Sequence, residues 1–524
     1  MTKITKKSIL LIIVLLSVNF IFAQEENKEK DGKTIEIIHS NSMEYDESIV
    51  ADANRLLGEV VFTHDDAFMF CDSAYFFQSD NRMVAYGDVK ITRGDTLLII
   101  CKELQYNGNE KKAEMKDSVV LKHYHSYLIT NFLDYDRNTE IAYYHDGGII
   151  IDSLNKLVSR RGYYHVDEKD YYAVDTVKLT NPDYNIYCDT MKYNIDSEIA
   201  EFFGKTDIVS DSNFIYCEKG FYDTRNNFAA ISENAWLRSG TNYLYGDSIY
   251  YDRKILFGEA FKNVSVVDTV ENLKATGNYA YYYENPQNAM ITDSLRVVYV
   301  TKENDSIFMH SDTIRITADS AKNKLLRAYN KVQIFKDDVQ ARCDSLSFFS
   351  LDSIVHFYNS PLLWAENNKQ AKAEHIYGYF HNKDPKFFYL DKNPIIIEKI
   401  DSTFYNQVSC DNKIIATLTD KKMDSINCFV NVKTIYYIPE EDNSYKDSVV
   451  YYYKQSNYLT TDTMTVFIRN NELDHIWIYG KTDAYMYPID KIPGDKYRLE
   501  NFIWLDNYRP KNKNDIFIWK EITY

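Results

Sequence analysis

Apolar residues recur along this chain in alternating pairs, and the pairs return at an interval of roughly 29 residues. Each begins with two apolar positions separated by one residue: Val60/Phe62, Val89/Ile91, Val119/Leu121, Ile149/Ile151, Val177/Leu179, Val264/Val266 and Val332/Ile334. Polar residues such as Lys90 and Thr92, or Lys178 and Thr180, fill the gaps. A period of two with one polar side predicts a strand with one buried face. A polar turn follows, as in Thr63 to Asp66, and then a second strand. Its inward positions form a triplet of small, apolar and aromatic residues: Cys71/Ala74/Phe76, Cys101/Leu104/Tyr106, Thr130/Leu133/Tyr135, Cys188/Met191/Tyr193, Gly246/Ile249/Tyr251 and Cys343/Leu346/Phe348. A gap of three inside the triplet breaks plain alternation. The Asp-Ser or Asp-Thr that fills it, such as Asp72-Ser73, Asp189-Thr190 or Asp344-Ser345, therefore marks a bulge or corner where the strand bends and keeps both ends facing inward.

The strongest copies start at Gly58, Gly87, Asp175, Gly204 and Asn330, with weaker ones near Asp117, Gly147, Ser232, Lys262, Ser294 and Asn359. That makes about eleven repeats over 58–390, one of them lengthened around 295–329. A repeat that cannot bury its apolar face alone must stack on its neighbours. The expected fold is all-β, an elongated solenoid of about eleven stacked rungs of roughly 29 residues each, within an array spanning 35–430. One rung per repeat at about 4.8 Å would give a body on the order of 50 Å long. Beyond about residue 391 the pattern blurs. Cys410-Asp411 and the stretch through Tyr436 and Tyr437 continue it, and Tyr451 to Tyr453, Ile476 to Tyr479 and Phe502 to Trp504 are further strand candidates. The Tyr- and Trp-rich segment 431–524 carries a basic turn, Tyr508-Arg509-Pro510-Lys511, before Phe517-Ile518-Trp519. It is too short to close a membrane barrel and reads as a cap or docking region.

Composition supports this reading. Only 17 glycines and 9 prolines stand against 46 tyrosines and 28 phenylalanines, a balance that suits pleated strands. The net charge of −17 argues against nucleic acid as a partner. At the start, Lys3, Lys6 and Lys7 precede an apolar run from Ile9 to Phe22 that ends at Ala23. Fourteen residues reach about 21 Å as a helix, short of the roughly 30 Å bilayer core. Residues 1–23 are read as a cleaved signal peptide and 24–34 as a polar leader. No later segment has eighteen consecutive apolar residues, so no transmembrane helix is expected.

Export bears on the seven cysteines, five of which (71, 101, 188, 217 and 343) share one phase of the repeat. They form either a column of buried free thiols or disulfides between neighbouring rungs, Cys71/Cys101 or Cys188/Cys217. The search for chemistry is otherwise negative. His123 and His125 alternate like a zinc pair but lack a third ligand, and Gly147-Gly148 with Asp152 hints at a calcium roll that never recurs. Hydrolase, metalloprotease and phosphate-loop motifs are missing, and the pairs Asp65-Asp66 and Asp337-Asp338 fall in turns. The expectation is a protein without catalysis, cofactor or metal.

These features together, a signal peptide followed by rungs reading G-[DE]-V-x-[IF], then a small residue, Asp and an apolar-x-aromatic pair, resemble the LptA/OstA family of lipopolysaccharide transport proteins over about 35–390. The resemblance implies a twisted, open β-jellyroll whose apolar groove shields lipopolysaccharide acyl chains across the periplasm. It also implies partnership with inner- and outer-membrane transport components and end-to-end self-association through edge strands. The location would be the periplasm, with either membrane as the neighbouring surface. Carried over by position, the groove would be lined by Val60, Phe62, Phe76, Val89, Ile91, Tyr106, Val119, Leu121, Tyr135, Ile149, Ile151, Val177, Leu179, Tyr193, Tyr251, Val332, Ile334 and Phe348. Two departures stand out: the chain is far longer than familiar members, and 431–524 has no counterpart in them. The alternative is an exported β-solenoid scaffold with a sealed core that binds carbohydrate or protein on its tyrosine-rich exterior.

Overall fold

The computed structural model describes residues 34–522 apart from 212, 285, 443–449 and 471. The signal peptide and the leader up to residue 33 lie outside the described residues. Almost everything else is strand, and among the described residues the strand pairings are antiparallel. The chain forms two compact units, the first ending at Asn181 and the second beginning at Pro182.

The first repeats show how the sequence makes the fold. Strands Asn54–His64, Ala67–Phe77, Arg82–Arg93, Leu97–Asn107, Lys112–His123 and Ser126–Asp136 form a meander, each hydrogen-bonded to the next. Along Ala67–Phe77 the buried positions are Ala67, Met69, Cys71, Ala74 and Phe76, so alternation changes phase once, at the gap of three. The cause sits on the opposite strand. Pairing passes from Leu57 with Ser73 to Val60 with Cys71, which leaves Gly58 and Glu59 facing Asp72, and both carry positive φ (76° and 46°). A left-handed pair inserted into one strand is a bulge that turns the ribbon through a corner.

The aspartate is thus the clamp of the corner and not its bulge. Asp72 Oδ2 accepts the backbone N–H of Asp88 at 3.1 Å on the other flanking strand. The same role recurs where Asn263 donates to Asp247 (3.0 Å), Asn359 to Asp344 (3.1 Å) and Asn431 to Asp411 (2.6 Å). Left-handed residues stand at or beside all eleven repeat starts: Gly58, Gly87, Asp117, Gly147, Asp175, Gly204, Glu233, Lys262, Asp293, Asn330 and Asn359. They continue at Lys392 and Val430, so the repeat runs beyond 390. Glycine, asparagine and aspartate are the residues that tolerate this conformation best.

One expectation is corrected in scale. Each repeat supplies two long strands and not one rung, so equivalent positions are two strand spacings apart, about 9.6 Å. The lengthened repeat is built from the 13-residue strands Asn288–Val300 and Ser306–Ala318.

Because every long strand bends at its corner, its halves fall into two layers that fold onto each other. The ring centroids of Phe62, after the corner of its strand, and Phe76, beyond the corner of the next, lie 5.8 Å apart. His64 Nδ1 meets the Tyr106 hydroxyl at 2.7 Å, and His123 Nδ1 meets that of Tyr164 at 2.5 Å. Tyr144 lies so close over Gly148 that a Cβ there would overlap its ring. The section is a two-layered jellyroll: corners close one side and hairpin turns from both layers meet at a seam on the other.

Toward the end, Lys422–Asp442 and Val450–Arg469 form a long hairpin, with Tyr436, Tyr437 and Tyr451 to Tyr453 in strand as expected. Glu472–Tyr479, which contains Ile476 to Tyr479, and Asp483–Pro488 follow, each paired to Val450–Arg469. Phe502 to Trp504 and Phe517 to Trp519 are not strands. Residues 489–522 form an extended segment with four short 3-10 turns, because these aromatics lack the alternation a strand requires and lie against side chains instead of joining a ladder.

Candidate functional site

The inner face is the natural candidate, and its character differs between the units. In the first unit Val60, Phe62, Phe76, Val89, Tyr106, Val119, Leu121, Tyr135, Val177 and Leu179 are buried, while Ile91 is half-buried near the seam. In the second unit Tyr193 and Val332 are buried, whereas Tyr251, Ile334 and Phe348 are half-buried. Ile149 and Ile151 do not belong to this set. The register pairs Ile150 with Leu128, which puts Ile150 inside and turns Ile149 and Ile151 outward, the latter 38% exposed. Three consecutive isoleucines satisfy either phase of a strand, so the hydrophobic pattern alone did not fix the choice.

The first unit's interior also holds polar side chains in satisfied positions. The Tyr144 and Ser159 hydroxyls meet at 2.6 Å, and Ser126 and Tyr171 at 3.2 Å. His123 and His125 do not form a metal pair, because Tyr124 between them is left-handed (φ 53°) and breaks the alternation. His123 faces inward, while half-exposed His125 sits 3.0 Å from the buried carboxylate of Asp152. Among the described residues no group of three or more possible metal ligands occurs. The seven cysteines are buried and free. Disulfides between Cys71 and Cys101, or Cys188 and Cys217, do not form because an intervening strand separates each pair, Arg82–Arg93 in one case and Ile199–Val209 in the other. Burial pushes these four thiols up to about 12, leaving them protonated and unreactive.

Charged side chains close the seam of the first unit. Arg137 donates to Asp66 (2.6 Å), to the His64 carbonyl (3.2 Å) and to the Tyr106 hydroxyl (3.2 Å). Arg93 donates to Glu140 at 2.5 Å, and Lys111 to Asp65 at 2.8 Å. The hydrogen bond from Lys111 holds the Asp65 carboxyl below its ordinary range. Burial, with the Glu140 carboxylate as the second cause, pushes the Tyr135 hydroxyl up. Each of these bridges joins a turn of one layer to a turn of the other. In the second unit the corresponding bridges are exposed and more oblique. Lys383 reaches Glu271 and Lys421 reaches Glu303, both at 2.6 Å, across 112 and 118 residues instead of the 46 to 71 of the Lys111, Arg93 and Arg137 ion pairs.

A second set of residues was not foreseen from the sequence. Over 332–437 the outer face of the first layer is apolar as well: Leu362, Trp364, Ile395, Ile397, Ile435 and Tyr437 are buried. Residues 489–522 lie across them as a strap, inserting Ile492, Leu499 and Leu505. Buried glutamines grip the strap's backbone. Gln407 donates to the Tyr497 carbonyl (3.1 Å) and accepts from Leu499 N–H (2.9 Å). Gln370 does the same with Ile503 (2.7 Å) and Leu505 (2.8 Å). Gln333 donates to the carbonyls of Ile516 (3.0 Å) and Ile518 (2.9 Å). Apolar residues at outward positions, such as Leu362/Trp364 and Ile395/Ile397, were the signal that this face is covered.

The OstA-like protein family model matches residues 32–189 and 185–306. No curated protein matches the chain in sequence. Among solved structures, the WD40 domain of SCAP from fission yeast aligns at 9% identity with a TM-score of 0.12, over 62% of this chain and 88% of that one, a likeness too slight to describe a shared fold. With more than half of its length matched as repeats of bent antiparallel strands around an apolar inner face, the chain belongs to the family of OstA-like proteins.

Proposed function

We propose that this protein is a periplasmic lipopolysaccharide carrier, a segment of the bridge that takes lipopolysaccharide to the outer membrane by shielding its acyl chains between the two layers. The observation that carries this reading is the inner face itself: repeat after repeat it presents valine, isoleucine, leucine, phenylalanine and tyrosine on the same side of bent strands, in a family whose role is lipopolysaccharide transport. The chain supplies an apolar surface and a seam, and no reaction step is assigned to it. Inner- and outer-membrane transport components are its partners, and its terminal edges offer places for them or for a second copy. Glu36–His39 and Ser42–Tyr45 in the first unit, and Glu472–Tyr479 and Asp483–Pro488 in the second, expose Ile38, Met43, Tyr45, Trp477, Tyr479 and Met486. Exposed apolar edge strands are pairing surfaces.

The tight packing of the first unit favours a second reading, an exported scaffold with a sealed core. Photo-crosslinking in cells separates the two, with a photoreactive residue at inward Ile91 or Leu179 and at outward Lys90 or Lys178. Lipopolysaccharide adducts at the inward sites alone are the expected result; a folded, exported protein with no adduct at any site would leave the scaffold reading.

A further inference from the structure

The second unit carries a hollow on the outer face of the layer opposite the strapped one. Burial of Ala328, Leu346 and Phe357 turns Arg327 and Tyr329, Ser345 and Ser347, and His356 and Tyr358 outward on the neighbouring strands Lys324–Tyr329, Ser345–Phe349 and Ile354–Tyr358. The serines on the middle strand are short and their neighbours on both flanks are long, so the face sinks into a trough of about 500 Å³. Its flanking strands stand about 9.6 Å apart, two strand spacings, a width that suits one sugar ring. One wall is a stack of rings: Tyr358, His356 and His375 lie parallel within 14°, and the Tyr358 hydroxyl meets Ser347 Oγ at 3.0 Å. The other wall is cationic. Arg327 stands directly opposite Arg315 of Ser306–Ala318. Both are exposed, and among the described residues neither makes an ion pair. Arg315 gives its Nε–H to Asn288 Oδ1 at 3.1 Å.

We propose that this trough is a binding site for a phosphorylated sugar, with Arg315 and Arg327 on the phosphate and Tyr329 and Tyr358 against the sugar ring. Like charges directly opposite each other weaken a sheet, yet this chain of net charge −17 sets no carboxylate between them. The two that flank the middle strand are committed elsewhere: Asp344 accepts from Ser345 (2.6 Å) and Asn359 (3.1 Å), and Asp352 from the Ile354 N–H (2.9 Å). The arginine pair is thus left for an anion from outside. A phosphate monoester carries about −1.5 to −2 charges, which balances two guanidiniums, and its oxygens suit their forked N–H groups. A single carboxylate supplies only half that charge. Rings on the walls and hydroxyls on the floor complement the C–H faces and hydroxyls of a sugar. The same construction appears without the arginines where Ser232 and Ser248 floor a hollow of about 670 Å³ walled by Phe203, Phe221 and Phe261, so the cationic pair is not needed to make the shape. The site lies outside the two-layered interior and is independent of the carrier reading.

The test is isothermal titration calorimetry on the purified full chain with lipid-free probes, which keeps the outcome separate from the interior. Glucose 1-phosphate is expected to bind about tenfold or more tightly than glucose or inorganic phosphate, and an Arg315→Gln/Arg327→Gln variant to lose about tenfold or more of that affinity. Delipidated lipopolysaccharide core oligosaccharide, with and without phosphatase treatment, identifies the source of the ligand. Binding tighter than that of glucose 1-phosphate, and lost on phosphatase treatment, assigns the site to a lipopolysaccharide headgroup. Binding of glucose 1-phosphate alone assigns it to a free sugar phosphate, and either result supports the proposal. Equal affinity for glucose, equal affinity for inorganic phosphate, unchanged affinity in the arginine variant, or no binding of any probe would overturn it. Both arginines are exposed, so the variant is expected to fold. Should circular dichroism show otherwise, Arg327→Lys alone, which keeps the charge and loses the fork, is expected to weaken binding severalfold; unaltered affinity there would count against the proposal.

Discussion

The carboxylate of Asp72 accepts the backbone N–H of Asp88 at 3.1 Å, across the corner where Gly87 adopts a φ of 101°. A side chain at Gly87 would land on that carboxylate. Removing the acceptor with Asp72→Ala is expected to cost about 1 kcal/mol. Gly87→Ala, strained in backbone and in space, is expected to cost about 1–3 kcal/mol. Urea denaturation of both variants measures this. A Gly87→Ala protein as stable as the native one would show that the corner is not held by this contact.

Phe62 and Phe76 join the two layers in the first unit, and both are buried. Phe62→Ala is predicted to lower unfolding free energy by about 3–5 kcal/mol, as for other fully enclosed aromatics. The same truncation at Phe348, half-buried in the second unit, should cost clearly less. Equal losses would mean that the two interiors are packed alike.

Arg137 ties three groups across the seam and is nearly enclosed, its side chain 11% exposed. Arg137→Ala is expected to loosen the turns around Asp66 and Lys111, raising amide hydrogen exchange there while exchange at the corner near Cys101 stays slow. Uniform acceleration across the unit would instead indicate general destabilisation.

The thiols of Cys71, Cys101, Cys188 and Cys217, raised to about 12 by burial, set an alkaline limit. A group whose pKa is higher in the folded chain adds stability that is complete below its unfolded value, about 8.5 for a thiol. That stability drains away as pH rises toward the folded value. The urea midpoint is therefore expected to stay level through neutral pH and to decline above about pH 8.5. A Cys101→Ala/Cys217→Ala variant should decline less steeply; an identical slope would assign the effect to other groups.

Much of this was legible in the sequence, because a strand with one buried face writes its geometry into every second residue. Val60/Phe62 and Cys71/Ala74/Phe76 gave the strand, the phase change and the corner. The corner's mechanism was less visible, since the left-handed Gly58-Glu59 pair and the aspartate that faces it lie on different strands and meet only through pairing. Ile149 to Ile151 defeated the pattern by being apolar in both phases. The strap was hidden for two reasons: a buried glutamine looks like a surface glutamine until its partner is known, and 489–522 has no periodicity to betray where it lies. The outward Leu362/Trp364 and Ile395/Ile397 were the remaining clue, and it could be read only once the inner face had been assigned.

A repeat that goes out and back, one strand in each direction, starts at one corner and finishes at the equivalent corner two strands on, with the chain running the same way. Whole repeats can therefore be removed or added without reversing the polarity of anything downstream, whereas cutting a single strand would turn every later segment end for end. Such a chain can change its reach only in discrete steps of about 9.6 Å, two strand spacings at a time. Duplication of a 29-residue stretch of gene is the smallest edit that takes one step, which makes span a heritable integer.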